Sequence, residues 1–112
     1  MIIIQSKILV KFITLNFAQA ITLFPFILLK DKKLRNNEIL INHEKIHIRQ
    51  QLELLIIPFY LIYLSEFLIK YLKYKSRYKA YRNISFEKEA FENESDKKYL
   101  KSRNWFQFIK YL

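Results

Sequence analysis

Asn42-His43-Glu44-Lys45-Ile46-His47-Ile48-Arg49-Gln50-Gln51 contains both histidines of the chain, four residues apart, with a glutamate directly after the first. On an α-helix, positions i and i+4 lie one above the other, so His43 and His47 can offer their imidazoles to a single metal ion. Glu44 falls about 100° round the helix from His43, beside such an ion rather than on it. That is the place for a group that takes a proton from a metal-activated water. An HExxH pattern using every histidine available should arise by accident on the order of once in a thousand chains of ordinary composition. It also occurs by chance on solvated helices, so the rest of the chain has to supply a third ligand. Cysteine is absent, which restricts the search to carboxylates.

The helix carrying the motif is predicted from about Glu38 to Ile57. Leu40, Ile41, Ile48, Leu52, Leu55 and Ile56 recur at helical spacing, Asn36 or Asn37 can cap its start, Glu38 lies in its first turn, and Pro58 removes a backbone donor at its end. His43, His47, Gln50 and Leu54 form one stripe. Gln50 is read either as a contact to the metal's water or substrate, or as a surface glutamine.

Upstream, residues 1–29 are apolar, with Lys7 and Lys11 as the only charges. No basic leader or small-residue cleavage pattern marks a secretory signal, so the expected location is cytoplasmic. Ala20 to Leu29, AITLFPFILL, is rich in β-branched and aromatic residues and reads as a strand. Pro25 places it at an edge or makes it irregular. An edge strand beside a metal site can pair with an extended peptide; the same segment also suits simple packing against the helices. The fold class expected is mainly α with a short N-terminal strand or hairpin, in one domain over residues 1–112.

Composition narrows the chemistry. Glycine is absent where average usage supplies about eight, which excludes the Walker A loop, the dinucleotide fingerprint and glycine-rich phosphate cradles. Turns are left to Asn, Asp and Lys. The formal charge is +10, although heavy use of Ile, Lys, Asn, Phe and Tyr also matches the coding bias of an AT-rich genome. Leu54 to Leu64 is an uncharged run of eleven residues, short of the roughly 20 a spanning helix needs. A buried helix, or one lying on a bilayer, fits it better. Lys70, Lys73, Lys75, Arg77, Lys79 and Arg82 follow, interleaved with Tyr71, Tyr74, Tyr78 and Tyr81. The pattern fits an anionic membrane surface at the inner leaflet, a solvated helix face or, less well, single-stranded nucleic acid.

The acidic cluster SFEKEAFENE opens on Ser85, a good N-cap residue. Glutamates in a first turn are favoured by the helix dipole, and one of them can also complete a metal site from a second helix. Glu87 and Glu94 share a face with Ala90 and Phe91, whereas Glu89 and Glu92 point more toward solvent. The order of preference for the third ligand is Glu87, then Glu94, then Glu89. The closing segment, Lys97 to Leu112, ends in the aromatic WFQFIKYL and is expected to cover the core or a lipid surface.

HEKIHIRQQ followed about forty residues later by SFEKEAFENE resembles the glutamate-ligand zincin metallopeptidases, the gluzincins. The HExxHxxQQ form and the FPFI and AYRNISFE stretches are also similar to those of small bacterial zincin-like proteins. The resemblance runs from about Ile21 onward. It implies a zincin-like active-site helix packed against a second, Glu-bearing helix. It further implies zinc on His43, His47 and Glu87, Glu44 as catalytic base, and a peptide or protein substrate. Where the family often has an aspartate after the alanine of its second motif, this chain has Phe91. For the oxyanion, Tyr81 and Arg82 are candidates by their nearness in sequence to Glu87. The rival expectation is a non-catalytic protein at the membrane surface, in which a metal only ties two helices together.

Overall fold

The computed structural model of the protein describes residues 2–13 and 19–112; the parts of the apolar lead at residues 1 and 14–18 lie outside them. The element order is β1 (Ile2–Gln5), α1 (Lys7–Ile13), β2 (Ala20–Leu23), β3 (Phe26–Leu29), α2 (Glu38–Leu54), α3 (Ile56–Tyr74), α4 (Arg77–Arg82), α5 (Ser85–Asn93) and α6 (Tyr99–Ser102). Single 3₁₀ segments precede α2 and follow α6. The molecule is mainly helical with a small N-terminal sheet, the α+β class expected.

The apolar run Ala20–Leu29 is a hairpin rather than one strand. β2 and β3 pair antiparallel, with Thr22 opposite Ile27, and the turn between them contains a cis Phe24–Pro25 bond. Pro25 thus sits where no ladder donor is needed. β1 adds to β3 in parallel, so β3 is central and β2 is an edge strand.

Helix α2 starts as its sequence dictates, with the Asn37 side chain accepting from the Leu40 amide at 3.1 Å. It ends three residues before the predicted boundary. Leu55 adopts φ 67°, ψ 162° and breaks the helix. The chain then turns by 112° into α3. Pro58, expected as a terminator, instead lies in the first turn of α3, where a missing amide costs nothing.

α2 lies between two apolar clusters. On one side the sheet residues Ala20, Ile27 and Leu29 pack with Leu40, Ile41 and Ile48. On the other, Phe59, Ile84, Phe86 and Phe108 form the helical core, joined by Leu54, Tyr60, Ile62, Tyr63 and Phe67. Phe108 is the part of the C-terminal aromatic segment that covers the core. At α5 the structure corrects the capping assignment. Ile84 is the N-cap and Ser85 the first helical residue. The carboxylate of Glu66 on α3 accepts from both the Ser85 amide (2.8 Å) and its hydroxyl (2.6 Å). This gives the one acid of α3 a structural partner and satisfies an orphan helix-terminal donor. Among the described residues, no single helix is long and apolar enough to cross a membrane.

Candidate metal centre

The buried face of α2 carries Asn42, His43, Glu44, Ile46, His47, Gln50 and Gln51, most of them polar. A polar stripe turned inward is tolerable only if every group is partnered, and here no buried side-chain N or O atom among the described residues lacks a partner.

Glu87 arrives from the first turn of α5. Its Oε1 lies 2.9 Å from His43 Nε2 and 2.9 Å from His47 Nε2, and the two Nε2 atoms are 3.2 Å apart. The outer ring nitrogens fix which atoms carry protons. Gln50 Nε2 donates to Phe86 O and Glu89 Oε1, so its Oε1 faces His47 Nδ1 (2.7 Å) and must accept from it. His43 Nδ1 donates to Glu94 Oε2 at 2.7 Å. In the neutral rings both lone pairs therefore sit on Nε2 and point toward Glu87 Oε1. A triangle of these dimensions admits one ion about 2 Å from all three corners, the distance at which zinc takes nitrogen and oxygen ligands. The residues fit a small divalent cation.

His43, Glu44 and His47 also place one ligand atom each within 4.8 Å of one another, a group that can hold a metal ion. Glu87 is the better third donor. Glu44 comes no closer than 3.9 Å to His43 Nε2, and its Oε1 is engaged by the Thr22 hydroxyl at 3.0 Å. Glu87 is held in turn by Tyr63, whose hydroxyl donates to Oε2 at 2.7 Å.

Charge follows this geometry. Burial disfavours a charged His43, yet the hydrogen bond to Glu87, with help from Glu94, pushes its pKa up to about 10. Burial likewise opposes charging of His47, and attraction from Glu87 outweighs it. Burial would raise the Glu87 pKa, but the two imidazoles hold its carboxyl well below the usual carboxylate range. Glu44 moves the other way, because its burial outweighs the imidazoles and Thr22 and raises its pKa. One carboxylate is thus fixed as an anion and the other made more basic.

Of the three glutamates weighed as third ligand, Glu87 reaches the histidine pair. Glu94 sits behind His43, and Asn42 Nδ2 anchors the backbone there by donating to Glu94 O (2.8 Å). The ring edge of Phe91 packs on His43 with centroids 4.5 Å apart, so Glu94, three residues later, supplies the carboxylate that Phe91 does not. Glu89 is a correction: it is fully buried rather than turned toward solvent. Arg103 pairs with it through Nε and Nη2 and with Glu53 through Nη1 at 2.6 Å. Gln50, weighed as a surface residue, is also fully buried and links His47 to Glu89.

A groove of about 710 Å³ opens beside the cluster, lined by Thr22, Glu44, His47 and Glu87 at one end and by Tyr60, Tyr63, Phe67, Tyr71 and Tyr81 along its wall. Tyr81 lines it, whereas the Arg82 guanidinium stacks on Phe91 at 3.8 Å. Burial, reinforced by Glu87 and Glu44, raises the Tyr81 pKa, so its phenol stays a neutral donor. Tyr63, Thr22 and Gln51 were not singled out from the sequence. Gln51 donates to Thr22 O at 2.8 Å and accepts from the Phe24 amide at 2.8 Å, and so ties α2 to the outer edge of β2. A tyrosine one helical turn from buried Phe59 was the only available sign of Tyr63. No protein-family model, curated protein or solved structure matches this chain.

Proposed function

We propose that this protein is a zinc-dependent peptidase of the zincin type, with His43, His47 and Glu87 as ligands and Glu44 as general base. The observation that carries the proposal is the convergence of two Nε2 lone pairs and one Glu87 oxygen at 2.9–3.2 Å, with each imidazole oriented from behind by an acceptor. Zinc, when bound there, supplies a Lewis acid that acidifies water and polarises a peptide carbonyl.

The chain's own residues account for the rest. Thr22 holds Glu44 beside the ligands, and burial makes that carboxylate a better base than one in water. Glu44 takes a proton from the attacking water as the water oxygen bonds to the carbonyl carbon. It then delivers that proton to the amine as the C–N bond breaks. Tyr63 keeps Glu87 in place, and Tyr81, neutral and on the groove wall, is the donor for the developing oxyanion. Ala20 and Thr22 of the edge strand β2 border the groove, but Gln51 and Tyr60 already donate to the Thr22 carbonyl there, which leaves an extended peptide no full backbone ladder on that edge.

Elemental analysis with a peptide-hydrolysis assay tests this. About one zinc per chain is expected in wild type. His47→Ala and Glu87→Ala should lose it, whereas Glu44→Gln should retain the metal and abolish hydrolysis. Loss of zinc from Glu44→Gln would make Glu44 a ligand and overturn the assignment. Zinc in wild type with no hydrolysis of any peptide would leave an ion that merely ties α2 to α5.

A further inference from the structure

Helix α3 buries Phe59 and Tyr63 and turns its other side outward. Ile57, Leu61, Leu64, Leu68 and Leu72 recur at intervals of three or four, fall on one arc of the helix, and are each 57–75% exposed. Five large aliphatic side chains in a continuous stripe form a patch beyond what a monomer ordinarily leaves in water. The stripe leads into the most basic part of the chain. Between positions 70 and 82 there are six cations and no acid. Lys73, Lys75, Arg77 and Lys79 are exposed, and Lys73, Lys75 and Lys79 enter no ion pair among the described residues. The acid within α3, Glu66, is turned away to Ser85. An aliphatic stripe ending in unopposed cations complements a surface with an apolar interior and an anionic rim.

We infer that the outer face of α3, with the basic segment that follows it, docks the protein in the plane of an anionic lipid bilayer. The leucine stripe enters the acyl boundary, and the lysines reach the headgroups along their own aliphatic stems. The helix lies on the membrane rather than across it, in keeping with its length and composition. Leu64 and Leu68 belong both to the stripe and to the lining of the groove, so docking holds the groove's mouth at the lipid surface.

Flotation of the full chain with phosphatidylcholine vesicles, with and without about one-third phosphatidylglycerol, tests the inference. Binding should require the anionic lipid and weaken several-fold between about 0.1 M and about 0.5 M salt. Lys73→Gln with Lys79→Gln should lower partitioning by about fivefold per cation, roughly twenty-five-fold together. Leu61→Glu with Leu72→Glu should lower it by more than about tenfold, and their exposure lets circular dichroism confirm an unchanged fold. Equal binding to neutral vesicles, or none to either, overturns the inference. So does a salt-resistant dimer in sedimentation that Leu61→Glu with Leu72→Glu dissociates, because the stripe would then be covered by a second copy. Retention of single-stranded DNA without flotation would assign the basic segment to nucleic acid, and would overturn it as well.

Discussion

Replacing Arg103 by leucine should be the most damaging single change outside the metal cluster. The guanidinium lies between Glu53 and Glu89, with all three side chains fully buried, and donates to both carboxylates. Burial penalises the charge on Glu89, but Arg103, then Tyr99 and Gln50, hold its pKa below the usual range. Removing the cation strands two carboxylates away from water, a loss of about 3–5 kcal/mol. For a chain of this length that is a fall in Tm of roughly 12–20 °C, a large share of the whole stability of a small domain. Thermal and urea unfolding followed by circular dichroism measure it. The cost should be one of charge rather than shape. Arg103→Leu combined with Glu53→Leu and Glu89→Gln is therefore expected to regain most of the loss, since the amide keeps partners in Tyr99 and Gln50. A single variant costing less than about 1 kcal/mol would show that the pair behaves as a solvated surface bridge. A triple variant no more stable than the single would equally refute the argument.

Gln50→Leu should weaken zinc binding by about 10–100-fold in a chelator competition, because His47 loses the acceptor that fixes its tautomer; an unchanged affinity would show that the ring is held by packing alone. Chelation of wild type should lower stability by about 4 kcal/mol when zinc is at a thousand times its Kd, and Glu87→Gln should remove most of that difference in a melting assay. Leu55→Gly should raise stability by about 1 kcal/mol, since the residue is 69% exposed and its backbone lies where only glycine is unstrained. Urea midpoints that fall instead would mean that the Leu55 side chain contributes more than its exposure implies.

The parts of the molecule that local rules govern were legible in the sequence. The Asn37 cap, the helix bearing His43 and His47, and the second helix bringing Glu87 follow from helical spacing and end chemistry. Strand-forming composition left a single strand and a hairpin both open, because the pairing that decides between them depends on the turn at Pro25. What failed depended on partners distant in the chain. Glu89 looked solvent-facing because helical periodicity cannot anticipate an arginine fourteen residues downstream. Gln50 looked like a surface residue because nothing nearby announces that Phe86 O and Glu89 will satisfy its amide. Ser85 looked like a cap until Glu66, nineteen residues earlier, took that role. The helix end was misplaced because Pro58 is the visible breaker, whereas the break falls at a leucine in a conformation leucine seldom adopts.

The elbow at Leu55 turns a stretch of sequence into a wall. Were α2 and α3 one straight rod, Tyr63 would stand about 24 Å along the axis from His47. Doubled back, its hydroxyl reaches Glu87, which touches that same histidine. Spacing across the joint is therefore under tight geometric control. One extra residue between His47 and Leu55 would swing everything beyond it by about 100° and part Tyr63 from its carboxylate. The same insertion after Tyr74 would shift only the connection into α4.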